Sequence, residues 1–135
     1  MINIGVVGYG YWGPNLVRNF AETPGMNLAA VTDLDPKKLE VVKKRFPAVK
    51  TTTRYQELLD DPGIDAIAIA TPVNTHFALG MAALKAGKHL WLEKPMTKRR
   101  TRRASWSRRP SSASWCCWWT TLSSTPVQSA RLARS

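Results

Sequence analysis

Short apolar runs alternate with amphipathic stretches along the first 97 residues of the chain. The runs have the length of strands, and most of them contain the β-branched and small apolar residues expected where both faces of a parallel sheet are covered. The predicted strands span residues 2–7, 28–32, 49–52, 66–70 and 89–92. The pattern therefore predicts a sheet in the interior of the domain.

The stretches between these strands carry apolar residues at helical spacing. They predict helices at 14–22, 36–46 and 74–86 and a helical turn at 55–59, each followed by proline or glycine. Strands and helices that alternate at this interval imply right-handed βαβ units and an α/β fold of the Rossmann type, with a doubly wound parallel sheet. We expect the strand order 3-2-1-4-5, with no sixth strand.

A glycine-rich loop joins the first strand to the first helix. Gly8, Gly10 and Gly13 form the pattern GxGxxG, and Tyr11 and Trp12 fill its variable positions. In this context the first glycine permits a tight turn, the second lets the backbone approach a pyrophosphate, and the third allows close packing of helix and strand. The phosphates would meet unpaired N–H groups at the helix N-terminus. The loop thus predicts a dinucleotide site.

An acidic residue ends the second predicted strand. Asp33 follows Gly13 by 20 residues, where a carboxylate can accept hydrogen bonds from the adenine-ribose hydroxyls. This position favours NAD over NADP, because a 2′-phosphate would face a like charge. The simpler alternative is a glycine turn with a solvated acid nearby. Asp35 is a rival acid, and we expect it to cap the helix that starts at Pro36.

A polar cluster follows the fourth predicted strand. Thr71, Pro72, Asn74 and His76 lie at a strand C-terminus, where open α/β sheets bind ligands. The alternatives are structural, since Asn74 or Thr75 can cap the next helix and His76 can be an ordinary surface histidine.

The fifth predicted strand ends in Glu93, Lys94 and Pro95. Lys94 can be a solvated surface lysine. Beside a nicotinamide, its ammonium group could instead polarise a substrate hydroxyl or help transfer its proton.

These motifs together resemble the Gfo/Idh/MocA family of NAD(P)-dependent oxidoreductases, named for glucose-fructose oxidoreductase and inositol dehydrogenase. The resemblance rests on GYGYWG at 8–13, Asp33, TPVNTH at 71–76 and EKP at 93–95. It implies hydride transfer between the nicotinamide and a hydroxyl or ketone of a sugar, cyclitol or sugar nucleotide. It also implies that the 71–76 cluster lines the nicotinamide ribose, that Glu93 helps bind the cofactor, and that Lys94 is catalytic.

The chain departs from this family in its length. The family carries a second α/β domain that holds a catalytic Asp and His pair, most substrate contacts and usually the oligomer interface. The chain ends before such a domain would begin. The resemblance therefore implies a cofactor-binding half-site without turnover, taken from a parent that is homo-oligomeric through the missing domain.

Composition changes abruptly near Thr97. Residues 1–97 contain 11 Lys and Arg and all 9 acidic residues, whereas residues 98–135 contain 9 basic residues and no acid. All glycines precede this point and all serines follow it. We therefore divide the chain into an NAD(P)-binding domain at 1–97 and a tail at 98–135 that we expect to be disordered. Taken at face value, the Arg-rich and Trp-rich tail would be a nucleic-acid-binding arm.

The genetic code offers another explanation of the tail. Joining the third base of each codon to the first two of the next converts residues 115–120 into the forced sequence VLLVD, which the following codons can extend as HTFxYTGA. Upstream residues permit a helix of the type ELxxxAEK. Both segments resemble the helix and sixth strand that follow EKP in this family. We therefore expect the tail to be translated out of frame, so that it specifically recognises no nucleic acid.

Neither part of the chain has an apolar run long enough for a membrane span, and the N-terminus lacks the pattern of a secretory signal. We expect a cytoplasmic protein without a membrane partner. The two cysteines are adjacent, and the Cys and His spacings match no zinc site, so no metal is expected.

Overall fold

A computed structural model of the chain describes residues 1–93 and 117–120, with the backbone alone for Glu93 and for the last of these segments. The strands are β1 (Ile2–Val7), β2 (Met26–Thr32), β3 (Lys50–Thr52), β4 (Ala66–Ile69), β5 (His89–Glu93) and β6 (Cys117–Thr120). The helices are α1 (Gly13–Glu22), α2 (Pro36–Arg45), α3 (Tyr55–Asp60) and α4 (Val73–Lys85). The predicted elements differ from these bounds by at most two residues at either end.

The strands form one parallel sheet in the order β3-β2-β1-β4-β5-β6. β1 lies between β2 and β4, so the chain order reverses direction beside β1. Open α/β sheets bind ligands where strand order reverses in this way. The predicted Rossmann-type fold and the order of its first five strands are confirmed.

The prediction that the sheet ends at the fifth strand is wrong. β6 pairs in parallel with β5, so that Leu90 lies opposite Cys117 and Glu93 opposite Thr120. Tryptophan and threonine favour strands, and an edge strand offers unpaired backbone groups to any segment that can reach it. The intervening residues 94–116 exceed the dozen or so that a parallel connection needs. The expectation of disorder therefore fails for 117–120, and the rest of the tail lies outside the described residues.

Side chains that alternate along the strands build a core on each face of the sheet. Val6 belongs to the cluster on the α1 and α2 side, with Val17 and Val42. Val7 belongs to the cluster on the α3 and α4 side, with Leu58 and Leu84. Full burial of one such aliphatic side chain contributes roughly 1.5–3 kcal/mol. The two clusters together hold the four helices against the sheet.

Local hydrogen bonds explain where the helices begin. The Asp35 carboxylate Oδ1 accepts a bond from the Lys37 N–H at 3.0 Å, which confirms Asp35 as the cap of α2. The alternative of a side-chain cap on α4 is wrong. The Thr75 hydroxyl donates to the Pro72 carbonyl at 2.7 Å, whereas a cap would accept from a backbone N–H.

A half-buried tyrosine and a buried lysine connect elements away from the carboxyl edge of the sheet. The Tyr55 hydroxyl donates to the Leu79 carbonyl of α4 at 2.9 Å, and burial raises the pKa of Tyr55. The Lys88 ammonium donates to the carbonyls of Asp61 and Ile64 at 2.6 and 2.8 Å. Lys88 is 7% exposed, so these carbonyls stabilise a buried charge and hold the loop before β4 against the start of β5.

Across the described residues, no helix combines the length and hydrophobicity that crossing a bilayer requires.

Candidate functional site

The loops after β1, β2 and β4 lie together at the carboxyl edge of the sheet. This proximity follows from the parallel pairing of β1 with both β2 and β4, which aligns Val7 with Thr32 and with Ile69. The sequence motifs after these strands therefore share one site.

Gly8 forms the turn directly after β1. Its φ of +94° lies in the region that favours glycine, and its N–H donates to the Thr32 carbonyl at 2.8 Å. A Cβ at this position would lie 2.8 Å from the Thr71 Cγ2 and 2.9 Å from the Ala70 carbonyl oxygen. Gly8 thus permits the tight turn and also brings the glycine loop against the loop after β4.

Gly13 and Gly10 differ in their surroundings. A Cβ at Gly13 would collide with the Gly8 carbonyl oxygen, so α1 can start against the loop only without a side chain there. A Cβ at Gly10 would have no protein atom within 4 Å among the described residues. Protein packing therefore requires glycine at position 13, whereas the space beside Gly10 is open to a ligand.

The variable positions of the loop carry two aromatic side chains. Tyr11 is 87% exposed and Trp12 42% exposed, and their rings meet edge to face with centroids 5.2 Å apart. Trp12 immediately precedes α1, whose second residue, Pro14, has no N–H. The next two N–H groups of the helix donate to the Trp12 carbonyl at 3.1 and 3.2 Å. The Gly13 N–H and the helix dipole therefore remain to favour an anion at this end of α1.

Asp33 holds the glycine loop in place. Its Oδ2 accepts a hydrogen bond from the Tyr9 N–H at 2.7 Å, and its Oδ1 accepts one from the Asp35 N–H at 2.9 Å. Because an ionised carboxylate has about four lone-pair sites, Asp33 can accept further bonds from ligand hydroxyls. The residue therefore combines a structural role with the predicted ligand-binding position.

Sequence reasoning missed Lys38 at this position. The Lys38 ammonium lies 3.7 Å from the Asp33 Oδ1, and the Lys38 side chain is 43% exposed. One signal was available, because Lys38 lies in the first turn of α2, where the helix dipole disfavours a cation. Leu34, which is 92% exposed, lies beside the same carboxylate in sequence.

The loop after β4 brings Thr71 to the glycine loop but directs His76 inward. His76 is 4% exposed, and its Nε2 lies 2.7 Å from the Thr71 carbonyl oxygen. This burial excludes the alternative of a surface histidine. The side chains of Pro72 and Asn74 are exposed, and Thr71 is half-buried. Of the predicted residues in this loop, Thr71 therefore lies nearest the glycine turn.

The last predicted cluster is described only in part. Glu93 ends β5 and its backbone pairs with β6. Lys94 and Pro95 lie outside the described residues.

The fold and its glycine loop define a dinucleotide-binding domain of the Rossmann class. The chain belongs to the Gfo/Idh/MocA oxidoreductase family with an NAD-binding Rossmann fold, whose model matches residues 2–105. This result confirms the family resemblance inferred from the four motifs.

The chain spans less than a third of the length of the two relatives described next. It is 42% identical over 97 residues to the uncharacterized oxidoreductase YdgJ of Escherichia coli K12, an alignment that covers 71% of this chain and 27% of that protein. A scyllo-inositol dehydrogenase from Lactobacillus casei, solved with NAD(H) and scyllo-inositol, superposes with a TM-score of 0.73 at 29% identity. That superposition covers 78% of this chain and 31% of the other.

The relatives use both cofactors. Two inositol dehydrogenases of Bacillus subtilis, 36% and 30% identical to the chain, are named for NAD(+) and NADP(+) respectively, and the alignments cover 72% and 71% of the chain and 27% and 26% of those proteins. The family thus establishes a dinucleotide but leaves the choice between the two to the residues of this chain.

Proposed function

We propose that this chain binds NAD in preference to NADP, as the cofactor-binding part of a dehydrogenase that acts on a cyclitol or sugar. The observation that carries the proposal is the Asp33 carboxylate, held at the end of β2 by the Tyr9 and Asp35 N–H groups. A carboxylate fixed there can accept hydrogen bonds from a ribose diol and repels a 2′-phosphate.

The glycine loop fits a pyrophosphate. The space beside Gly10 lets a ligand approach the backbone, and the start of α1 offers the Gly13 N–H and the positive end of the helix dipole to its phosphate oxygens. The residues that would hold the cofactor are Gly8, Gly10, Tyr11, Trp12, Gly13 and Asp33, with Thr71, Pro72, Asn74, Glu93 and Lys94 on the nicotinamide side. The buried His76 would act there through the position of Thr71. NAD, when bound, supplies the hydride acceptor.

Charge at the ribose position sets the size of the NAD preference. Lys38 partly offsets Asp33, because its ammonium lies 3.7 Å from that carboxylate. The Lys38 side chain is 43% exposed and the Asp33 side chain 10%, so salt only partly screens the residual repulsion of a 2′-phosphate. We therefore expect a preference for NADH that is clear but moderate.

We further propose that the parent enzyme oxidises a ring hydroxyl, with Lys94 as its catalytic residue, and that the chain by itself has no turnover. Support comes from the inositol dehydrogenases among the relatives and from the share of their length that the chain spans, 29% and 27%. Measurable NADH production by the chain with any cyclitol or sugar, above that of a Lys94→Ala variant, would contradict this proposal.

We also propose that the tail is translated out of frame. The alignment with YdgJ extends over 97 residues, the length of the segment that precedes the change in composition. Sequencing the coding region around codons 94–104 tests the proposal. A continuous open frame in the other register is expected, and its absence would favour the nucleic-acid-binding arm.

Calorimetric titration of the full chain with NADH and NADPH tests the cofactor assignment. NADH should bind more tightly, and the gap should narrow as salt rises because the repulsion is electrostatic. Equal affinities at low salt would contradict the role of Asp33, and no binding of either cofactor would contradict the function itself.

A further inference from the structure

The loop after β4 is fixed from two sides. On its backbone, the His76 Nε2 lies 2.7 Å from the Thr71 carbonyl oxygen. On its side chains, the Thr71 and Thr75 hydroxyl oxygens lie 2.7 Å apart, and the Thr75 hydroxyl donates to the Pro72 carbonyl at 2.7 Å. Three hydrogen bonds therefore converge on the turn of three residues between β4 and α4 and the first turn of α4.

These bonds determine where the protons lie. The single Thr75 hydroxyl hydrogen is used on the Pro72 carbonyl, so the bond between the two threonines must take its hydrogen from Thr71. The Thr71 oxygen is left with lone pairs only. The Thr71 carbonyl cannot donate, so the His76 ring carries a hydrogen on Nε2.

Thr71 also touches the loop expected to hold the pyrophosphate. A Cβ at Gly8 would lie only 2.8 Å from the Thr71 Cγ2, so Thr71 lies directly beside the glycine turn. His76 is 4% exposed and cannot itself reach a ligand at the surface of the site without moving. Its bond to the Thr71 carbonyl acts on the site only through the position of Thr71.

We propose that Thr75 and His76 are positioning residues that present the Thr71 hydroxyl as a hydrogen-bond acceptor to the nicotinamide half of the cofactor. The proposal rests on the proposed function. Two kinds of donor exist in that half, namely the ribose hydroxyls and the carboxamide NH₂ group. The adenosine half is served by other residues, because Asp33 lies at the end of β2 on the opposite side of β1.

The test compares NADH with ADP, which lacks the nicotinamide and its ribose, by calorimetric titration of the full chain. Thr75→Val keeps the shape of the side chain but removes the hydroxyl, so Thr71 can turn its hydrogen elsewhere. We expect it to weaken NADH binding about three- to tenfold, the range for one neutral hydrogen bond, and to leave ADP binding unchanged. Thr75→Ser, which keeps the hydroxyl, is the matched control and should bind both ligands normally.

His76 is tested with the same pair of ligands. His76→Gln retains an N–H donor and should preserve NADH binding, whereas His76→Leu should lose affinity for NADH selectively. If His76→Leu unfolds, the Thr75 series and Thr71→Val still decide the outcome. Thr71→Val should reproduce the Thr75→Val loss, and the double variant should lose no more than either alone, because both changes remove the same interaction.

An equal loss of ADP and NADH affinity in the valine variants would overturn the proposal, since it would indicate a general structural role. Unchanged NADH affinity in Thr75→Val, or additive losses in the double variant, would also overturn it. If the unmutated chain bound neither NADH nor ADP, the result would instead contradict the proposed function.

Discussion

Two of the turns that build the site are specified in different ways. The turn between β1 and α1 depends on missing side chains, since a Cβ at Gly8 or Gly13 would strike the backbone or Thr71. The turn between β4 and α4 depends on side chains, through the bonds of Thr75 and His76. Backbone contacts cannot be replaced by another residue, whereas a hydrogen bond can be restored by any side chain with a suitable donor. The first turn should therefore tolerate no substitution at its crowded glycines.

Gly13→Ala should have the largest effect. The new Cβ would collide with the Gly8 carbonyl oxygen, which is backbone and cannot rotate away. We expect a loss of about 3 kcal/mol in the free energy of unfolding, at the upper end of the range for overpacking. Urea denaturation measures the loss. An unchanged midpoint would show that α1 can move away from the loop at little cost.

Gly10→Ala is the matched control for Gly13→Ala. Its Cβ would meet no described protein atom within 4 Å, so the midpoint of unfolding should stay close to that of the unmutated chain. The same methyl group would occupy the space proposed for the pyrophosphate, and NADH should bind about tenfold more weakly, a change of roughly 1.4 kcal/mol. Normal affinity for NADH in this variant would contradict the placement of the pyrophosphate beside Gly10.

Cofactor choice extends the comparison to the end of β2. Asp33→Ser should narrow the gap between NADH and NADPH about tenfold, because it removes the repulsion of the 2′-phosphate and releases Lys38 from its ion pair. Adding Lys38→Gln to Asp33→Ser should restore part of the difference between the NADH and NADPH affinities. Titration of both variants with both cofactors measures these changes. If Lys38→Gln has no effect on the Asp33→Ser background, the ammonium does not contribute to cofactor choice.

Tyr55→Phe should have the smallest effect. It removes the bond to the Leu79 carbonyl, worth about 1 kcal/mol. Burial raises the pKa of Tyr55 in the folded chain, so its contribution is fully present below the unfolded pKa of about 10 and is lost as pH rises above that value. Denaturation between pH 8 and pH 11 should therefore show a steeper alkaline loss of stability in the unmutated chain than in the variant. Parallel curves would contradict this assignment.

Features set by local sequence could be predicted, and features set by packing could not. Asp35 caps α2 because it lies two residues before Lys37, whose N–H donates a hydrogen bond to its carboxylate. The GxGxxG pattern likewise determines the turn that it forms. The orientation of His76 depends on how α4 packs against the sheet, so sequence spacing could not distinguish an inward ring from a surface ring. The ion pair between Lys38 and Asp33 likewise depends on the angle at which α2 leaves β2.

The sixth strand is another feature that the local sequence could not predict. Residues 117–120 have strand-forming side chains but no period that predicts a strand within a basic tail. What the sequence could not reveal is the partner, since the pairing of Glu93 with Thr120 joins segments separated by residues 94–116. A strand so distant in sequence is predictable only when its neighbour in the sheet is known.

The buried ammonium of Lys88 allows chemical footprinting to measure a local opening of the domain. Amine acylation needs an accessible lysine, and Lys88 is enclosed with its hydrogens donated to two carbonyls. Lys43 and Lys44, which are exposed on α2, should acylate at once. Lys88 should react only when the loop before β4 separates from β5, so the ratio of the two rates measures the free energy of that local opening. Mass spectrometry of a single digest would give both rates.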